Sequence, residues 1–157
     1  MKLHRTFLAA ALVALPFVQS AKAQDQHASS ARVSASMVWT PAPPVLPEGA
    51  QITVLSGNPF EDGWFVLRLW LPAGYVVPPH IHSGAELITV ISGEFNVGHG
   101  VEMDREATTF LPAGSFVEMP AGHPHFAWTG AATVVQIHGP GPFDITYMNP
   151  SDNPLGQ

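Results

Sequence analysis

The chain has 157 residues, twelve of them acidic and six basic, a formal charge of −6 with histidine neutral, and no cysteine. That length fits one domain, and the lack of thiols excludes disulfides and sulfur ligands, so any metal site must use nitrogen and oxygen donors. The acidity opposes contact with phosphate backbones or an anionic membrane face, so nucleic acid is not an expected partner.

The N-terminus reads as a secretory leader over residues 1–23. Lys2 and Arg5 precede an apolar run from Phe7 to Val18, and Ala21-Lys22-Ala23 puts small residues where a signal peptidase reads them. Cleavage after Ala23 removes Lys2, Arg5 and Lys22 while all the acids remain, leaving a mature charge of −9. No stretch approaches the roughly 20 apolar residues that span a bilayer. The expectation is a periplasmic or secreted protein with no membrane contact once the leader is gone.

Residues 24–48 follow as a mobile N-terminus and a proline-rich arm. The segment from Gln24 to Ala35 is small and polar, Ser36 to Thr40 suits an edge strand or arm, and PAPPVLPEG (Pro41 to Gly49) is proline-rich and extended and should wrap the domain. Residues 49–148 then repeat one pattern, a short apolar or alternating run closed by Gly, Pro, Ser or Asn. Strands are predicted at 51–55, 64–71, 75–80, 86–91, 94–98, 107–111, 115–119, 125–129, 133–138 and 145–148. No helical period longer than two turns follows the leader. Many short strands between such turns predict an all-β antiparallel sandwich or barrel, with a C-terminal tail at 149–157. The turn LPAG occurs twice, at Leu71 to Gly74 and at Leu111 to Gly114, each time just before a histidine-bearing stretch.

The first of these stretches, GYVVPPHIHSGAELITVISG (Gly74 to Gly93), holds His80, His82 and Glu86 within seven positions. Side chains two apart on a strand share a face, so His80 and His82 can converge, and Glu86 opens the next strand. Two imidazoles and a carboxylate suit Zn, Fe, Mn, Ni or Cu and poorly suit Ca or Mg. A fourth ligand is expected from GSFVEMPAGHPHFAWT (Gly114 to Thr129), where His123 and His125 both lie. If His80 and His82 point inward, alternation puts Val76 and Pro78 on their side, Ile88 and Val90 on that of Glu86, and Ala127 and His123 on that of His125. That is a mostly apolar cavity with a few polar groups, as small-molecule sites tend to be. Gln136 and His138 share one face of a late strand, and were that face inward they could orient a ligand or donate to Glu86.

These residues resemble the two signatures of the cupin superfamily. The first is matched by Gly74, five residues, His80-x-His82, three residues, Glu86, six residues and Gly93. The second is matched by Gly114, five residues, Pro120-x-Gly122, two residues and His125, departing only where the family has Asn and this chain has Thr129. The resemblance implies a double-stranded β-helix, or jelly-roll barrel, with His80, His82, Glu86 and His125 as a three-histidine, one-glutamate site for a divalent transition metal. It further implies dioxygenases among the relatives and pairing of two copies through the N-terminal arm. The function expected is a metal-dependent oxidoreductase of dioxygenase type acting on a small organic molecule, with Glu86 as ligand or base. The alternative is a non-catalytic cupin that holds a metal or small ligand as a sensor or binding module.

Overall fold

Phe65, Leu67, Leu69 and Leu71 are buried while the residues between them are only half-buried, the period of two that marks a strand with one face in a core. The computed structural model describes residues 31–156. The predicted leader, and residues 24–30 after it, lie outside the described residues. The described strands are β1 (Thr40–Pro41), β2 (Gln51–Ser56), β3 (Gly63–Leu71), β4 (Val76–Ile81), β5 (Glu86–Ser92), β6 (Glu94–His99), β7 (Thr109–Pro112), β8 (Phe116–Met119), β9 (His125–Thr129), β10 (Thr133–Gly141) and β11 (Thr146–Tyr147). They form one six-stranded sheet, β1-β2-β3-β10-β5-β8, and one five-stranded sheet, β11-β4-β9-β6-β7. Every pairing is antiparallel.

The core lies between the two sheets. Leu67, Ile88, Val135 and Ile137 come to it from the first sheet, and Val77, Phe95, Val97 and Ala127 from the second. Full burial of such a large apolar side chain contributes roughly 1.5–3 kcal/mol, so these alternating positions supply the main drive for the fold. Each strand predicted between residues 51 and 148 coincides with an observed one. The strand predicted to begin at residue 107 starts later, because Asp104 accepts a 2.9 Å bond from the Glu106 amide and caps a 3-10 turn at Arg105–Ala107. The segment 36–40 is shorter in strand than predicted: a 3-10 turn occupies Ser34–Ser36, and only Thr40–Pro41 pairs, against Ile52 and Gln51. Among the described residues no helix is long and apolar enough to cross a membrane.

Two local features place the site. In the pairing of β4 with β9, Val77 stands opposite Ala127 and His80 opposite His125, so β4 carries one extra residue at Pro78-Pro79. Proline cannot donate to a sheet ladder, and a bulge is where a strand tolerates it. The bulge resets the alternation. Val77 therefore faces the interior with His80, where strict alternation predicts Val76 and Pro78.

The second feature is Thr129, at the position where the cupin signature has Asn. Its hydroxyl donates to the Pro72 carbonyl at 2.6 Å and accepts from the Tyr75 amide at 3.0 Å, with 1% of the residue exposed. It clamps the end of β9 to the LPAG turn that leads into β4. Thr129→Val keeps the shape but removes both bonds, leaving the buried Tyr75 amide and the half-buried Pro72 carbonyl only their longer 3.3 Å bond to each other. Urea denaturation should show a loss of about 1–3 kcal/mol with metal binding unchanged.

The proline-rich arm lies against one end of the barrel. The Tyr75 hydroxyl donates to the Pro47 carbonyl at 2.5 Å and the Tyr147 hydroxyl to the Val45 carbonyl at 2.8 Å. Leu46, between these anchors, and Ala42, before them, pack on the core.

Candidate metal centre

The bulge, the start of β5 and the start of β9 bring four side chains from the two sheets together. His80, His82, Glu86 and His125 are each at most 5% exposed. One nitrogen from each of the three imidazoles lies within 4.8 Å of the others, which is close enough for one ion to be shared. The Glu86 carboxylate stands beside them, with Oε2 3.4 Å from Nε2 of His82 and 3.4 Å from Nε2 of His125. The two signature stretches are also joined through the backbone, since the Gly122 amide donates to the His82 carbonyl at 2.8 Å.

The hydrogen bonds of the imidazoles fix which nitrogens are free. Nδ1 of His80 meets the Pro78 carbonyl at 2.7 Å, Nδ1 of His125 meets the His123 carbonyl at 2.9 Å, and Nδ1 of His82 meets the Asp144 carbonyl. A carbonyl can only accept, so each Nδ1 carries its proton and a neutral ring keeps its lone pair on Nε2. Such partners on the far nitrogen hold metal-binding histidines in one tautomer and orientation. Nε2 of His82 is buried and makes no well-aligned hydrogen bond, its neighbour being Oε2 of Glu86 at 3.4 Å. A buried polar atom without a partner is costly, and a cation would satisfy it. On these grounds the residues fit a divalent transition metal.

Electrostatics favour the same occupant. Burial pushes His80 down to about 3, with His125 and His82 adding to the effect, so this ring is neutral at ordinary pH. For His82 burial acts downward as well, but the Glu86 carboxylate and the Asp144 carbonyl outweigh it and raise the pKa. Burial alone would raise the Glu86 carboxyl; the neighbouring His125 and His82 rings overcome it and hold the group well below the usual carboxylate range. The centre therefore presents a neutral imidazole and an ionised carboxylate to any incoming cation.

The cluster forms part of the wall of a cavity of about 90 Å³. That is several times the roughly 10–15 Å³ that a single water needs. Ile88, Val97, Ala127, Val135 and Ile137 line it, and Pro43, Val45 and Leu46 of the arm close one side. His123 takes no part in the cluster. It is half-buried beside the exposed His99, with its Nε2 3.0 Å from Nδ1 of that residue. Gln136 and His138 point away from the cavity, because Val135 and Ile137 hold the inward positions of β10, and Gln136 instead accepts a 3.1 Å bond from Nε of Arg68.

One segment was not singled out in the sequence. Phe143 stacks on the His82 ring, with centroids 4.6 Å apart and planes at 20°. Asp144 gives its carbonyl to His82, while its carboxylate accepts from the amide and hydroxyl of Ser83 at 2.8 and 2.9 Å. A main-chain acceptor leaves no mark in residue type, so no sequence signal pointed to Asp144. Phe143 stood only as one more aromatic residue in a Gly/Pro stretch.

The sequence profile described as the ChrR cupin-like domain matches residues 28–144. Among solved structures the chain is similar to the polyketide cyclase RemF from Streptomyces resistomycificus, at 18% identity and a TM-score of 0.61, over 80% of this chain and 90% of that one. It is similar to a Methylibium petroleiphilum PM1 protein provisionally assigned as an acetylacetone dioxygenase, at 19% identity and a TM-score of 0.61, over 80% of this chain and 85% of that one. It is also similar to KdgF from Halomonas sp., at 19% identity and a TM-score of 0.56, over 71% of this chain and 93% of that one. At these identities the likeness is one of fold. No curated protein matches the sequence.

Proposed function

The chain belongs to the ChrR cupin-like family, a branch of the cupin superfamily, and from that premise we propose that it is a metal-dependent oxidoreductase of dioxygenase type acting on a small organic molecule. The observation that carries the reading is the set of three imidazoles whose Nδ1 atoms are committed to carbonyls, so that Nε2 lone pairs remain beside an ionised carboxylate at the wall of a cavity.

In this reading His80, His82 and His125 hold the ion and Glu86 completes the ligand set. Once bound, the ion supplies Lewis acidity and, for iron, manganese, nickel or copper, one-electron chemistry with O₂. The chain supplies the rest. Pro78, Asp144 and His123 fix the three rings through their carbonyls, which limits reorganisation when substrate arrives. Glu86, ionised at neutral pH, is placed to accept a substrate proton at a carboxylate oxygen if it loosens its hold on the ion. Apolar walls keep bulk water away. Among the described residues the cavity lining contains no Ser, Thr, Tyr, Lys or Arg, so these residues offer no nucleophile or general acid there beyond the cluster and Asp144.

The test is oxygen consumption by the chain loaded in turn with Fe(II), Mn(II), Ni(II) and Cu(II), with small dicarbonyl, catechol and flavonol compounds. Substrate-dependent uptake that disappears in Glu86→Gln supports the reading. Tight metal binding with no uptake in any combination would contradict it and favour a module that holds a metal or ligand without turnover.

A further inference from the structure

We propose that the ligand of this cavity is a small, largely hydrocarbon molecule, uncharged apart from one oxygen-donor head that meets the metal centre, and that sugars, sugar acids and phosphate esters are excluded. The proposal rests on the reading of the metal centre above and names the substrate class that its walls allow.

Of the 23 residues that line the cavity, 18 are apolar. The five polar ones are His80, His82, Glu86, His125 and Asp144, and four of them form the metal centre. The fifth, Asp144, is an acceptor only, and its Oδ1 already accepts from both the amide and the hydroxyl of Ser83. Away from the metal centre, then, no side chain of the lining is free to donate a hydrogen bond among the described residues. None carries a fixed positive charge.

Those two absences decide the class. A sugar bears a hydroxyl on nearly every carbon, and each one taken from water into such walls without a partner costs roughly 1–3 kcal/mol. Several unpartnered hydroxyls outweigh what one chelating contact returns. A phosphate or a second carboxylate would meet Glu86 and Asp144 with no arginine or lysine to offset them. A hydrocarbon body, in contrast, gains about 25 cal/mol for each Å² buried. The polar head has one place to go, because the imidazoles and Glu86 all lie on one part of the wall.

The rim agrees with this chemistry. Phe60 lines the cavity although it is 62% exposed, and the Phe143 ring lies flat over His82. The Phe143 amide donates to the Pro59 carbonyl at 2.6 Å, which ties the two aromatic rim segments together. Leu46, between the carbonyls that Tyr75 and Tyr147 hold, closes the side formed by the arm. A ligand therefore passes apolar and aromatic groups before it reaches the metal centre.

The test uses the full chain, metal-free and zinc-loaded, with the neutral fluorophore N-phenyl-1-naphthylamine, which brightens in apolar surroundings. Saturable binding at one site per chain is expected, weakened at least about tenfold in Leu46→Asp and Phe143→Asp. Hydrocarbon-bodied diketones and catechols should displace the probe; galacturonate, glucose 6-phosphate and glucose should not. If either variant fails to fold by near-ultraviolet circular dichroism, the displacement series on the wild-type chain decides. Displacement by the sugar acid or the phosphate ester, or no saturable probe binding, overturns the proposal. Probe binding to a chain that takes up no oxygen with any metal would leave this proposal standing and remove the enzyme reading, whereas turnover of a polyhydroxylated substrate would do the reverse.

Discussion

His125→Ala should weaken zinc binding, measured by calorimetry at neutral pH, by more than about 100-fold. Loss of an outer partner of a metal-bound histidine already costs roughly 10- to 100-fold, and His125 is proposed as a direct ligand. The ring is 2% exposed, opposite His80 across the ladder of β4 and β9, and it approaches Glu86 with the nitrogen that is not bonded to a carbonyl. His80→Ala should behave alike. Thermal unfolding gives a second readout, because an ion that binds only the folded chain stabilises it by about 4 kcal/mol when present at roughly a thousandfold excess over its Kd. The wild-type melting temperature should rise with zinc and that of His125→Ala should not. His123→Ala is the matched control, since its side chain pairs with His99 away from the cluster. An equal loss in His123→Ala would mean that the ligand set is misassigned.

Without metal, the chain should be markedly acid-labile. Burial holds His80 at about 3 in the fold, against an ordinary value of 6.5. Between those two values the unfolded chain binds the proton and the folded chain does not, so stability falls as the pH falls, by on the order of 5 kcal/mol across the window. Glu86 acts in the same direction. Its carboxyl is held below the ordinary 4.5, so the stability that its ionised form contributes is present above that value and is lost as the pH falls further. His82 acts oppositely: its pKa is raised, so its contribution is complete below 6.5 and fades as the pH rises through its folded value. The acid limb should therefore be the steep one. Urea midpoints of the metal-free chain, taken from neutral pH down to about 4, should show this fall, and His80→Asn should flatten it. A midpoint independent of pH over that range would contradict the placement of His80.

Much of this was legible in the sequence because it rests on local rules. The turn glycines mark the strand ends. Gly93, for instance, has φ of 88°, and a Cβ there would run into the Ala132 carbonyl and Thr133. The spacing of His80, His82, Glu86 and His125 puts four candidate ligands of two types at or near strand ends, and the fold gathers them. Facing was less legible where strict alternation was assumed. Pro78-Pro79 adds a residue to β4 and turns Val77 inward, which only the pairing with β9 reveals. Gln136 and His138 could have been placed from their neighbours, since Val135 and Ile137 already claim the core side of β10. The Asp144 carbonyl that orients His82 stays invisible in sequence, because every residue but its position in space offers the same acceptor.

The proposed site has three imidazoles and one carboxylate holding a single transition-metal ion inside this barrel. X-ray absorption of the chain loaded with one equivalent of zinc tests it most directly. The zinc should be surrounded by three imidazole nitrogens with oxygen completing its coordination, and one imidazole should be lost in His125→Ala. A shell of oxygens alone, or one that keeps its imidazole count in that variant, would contradict it.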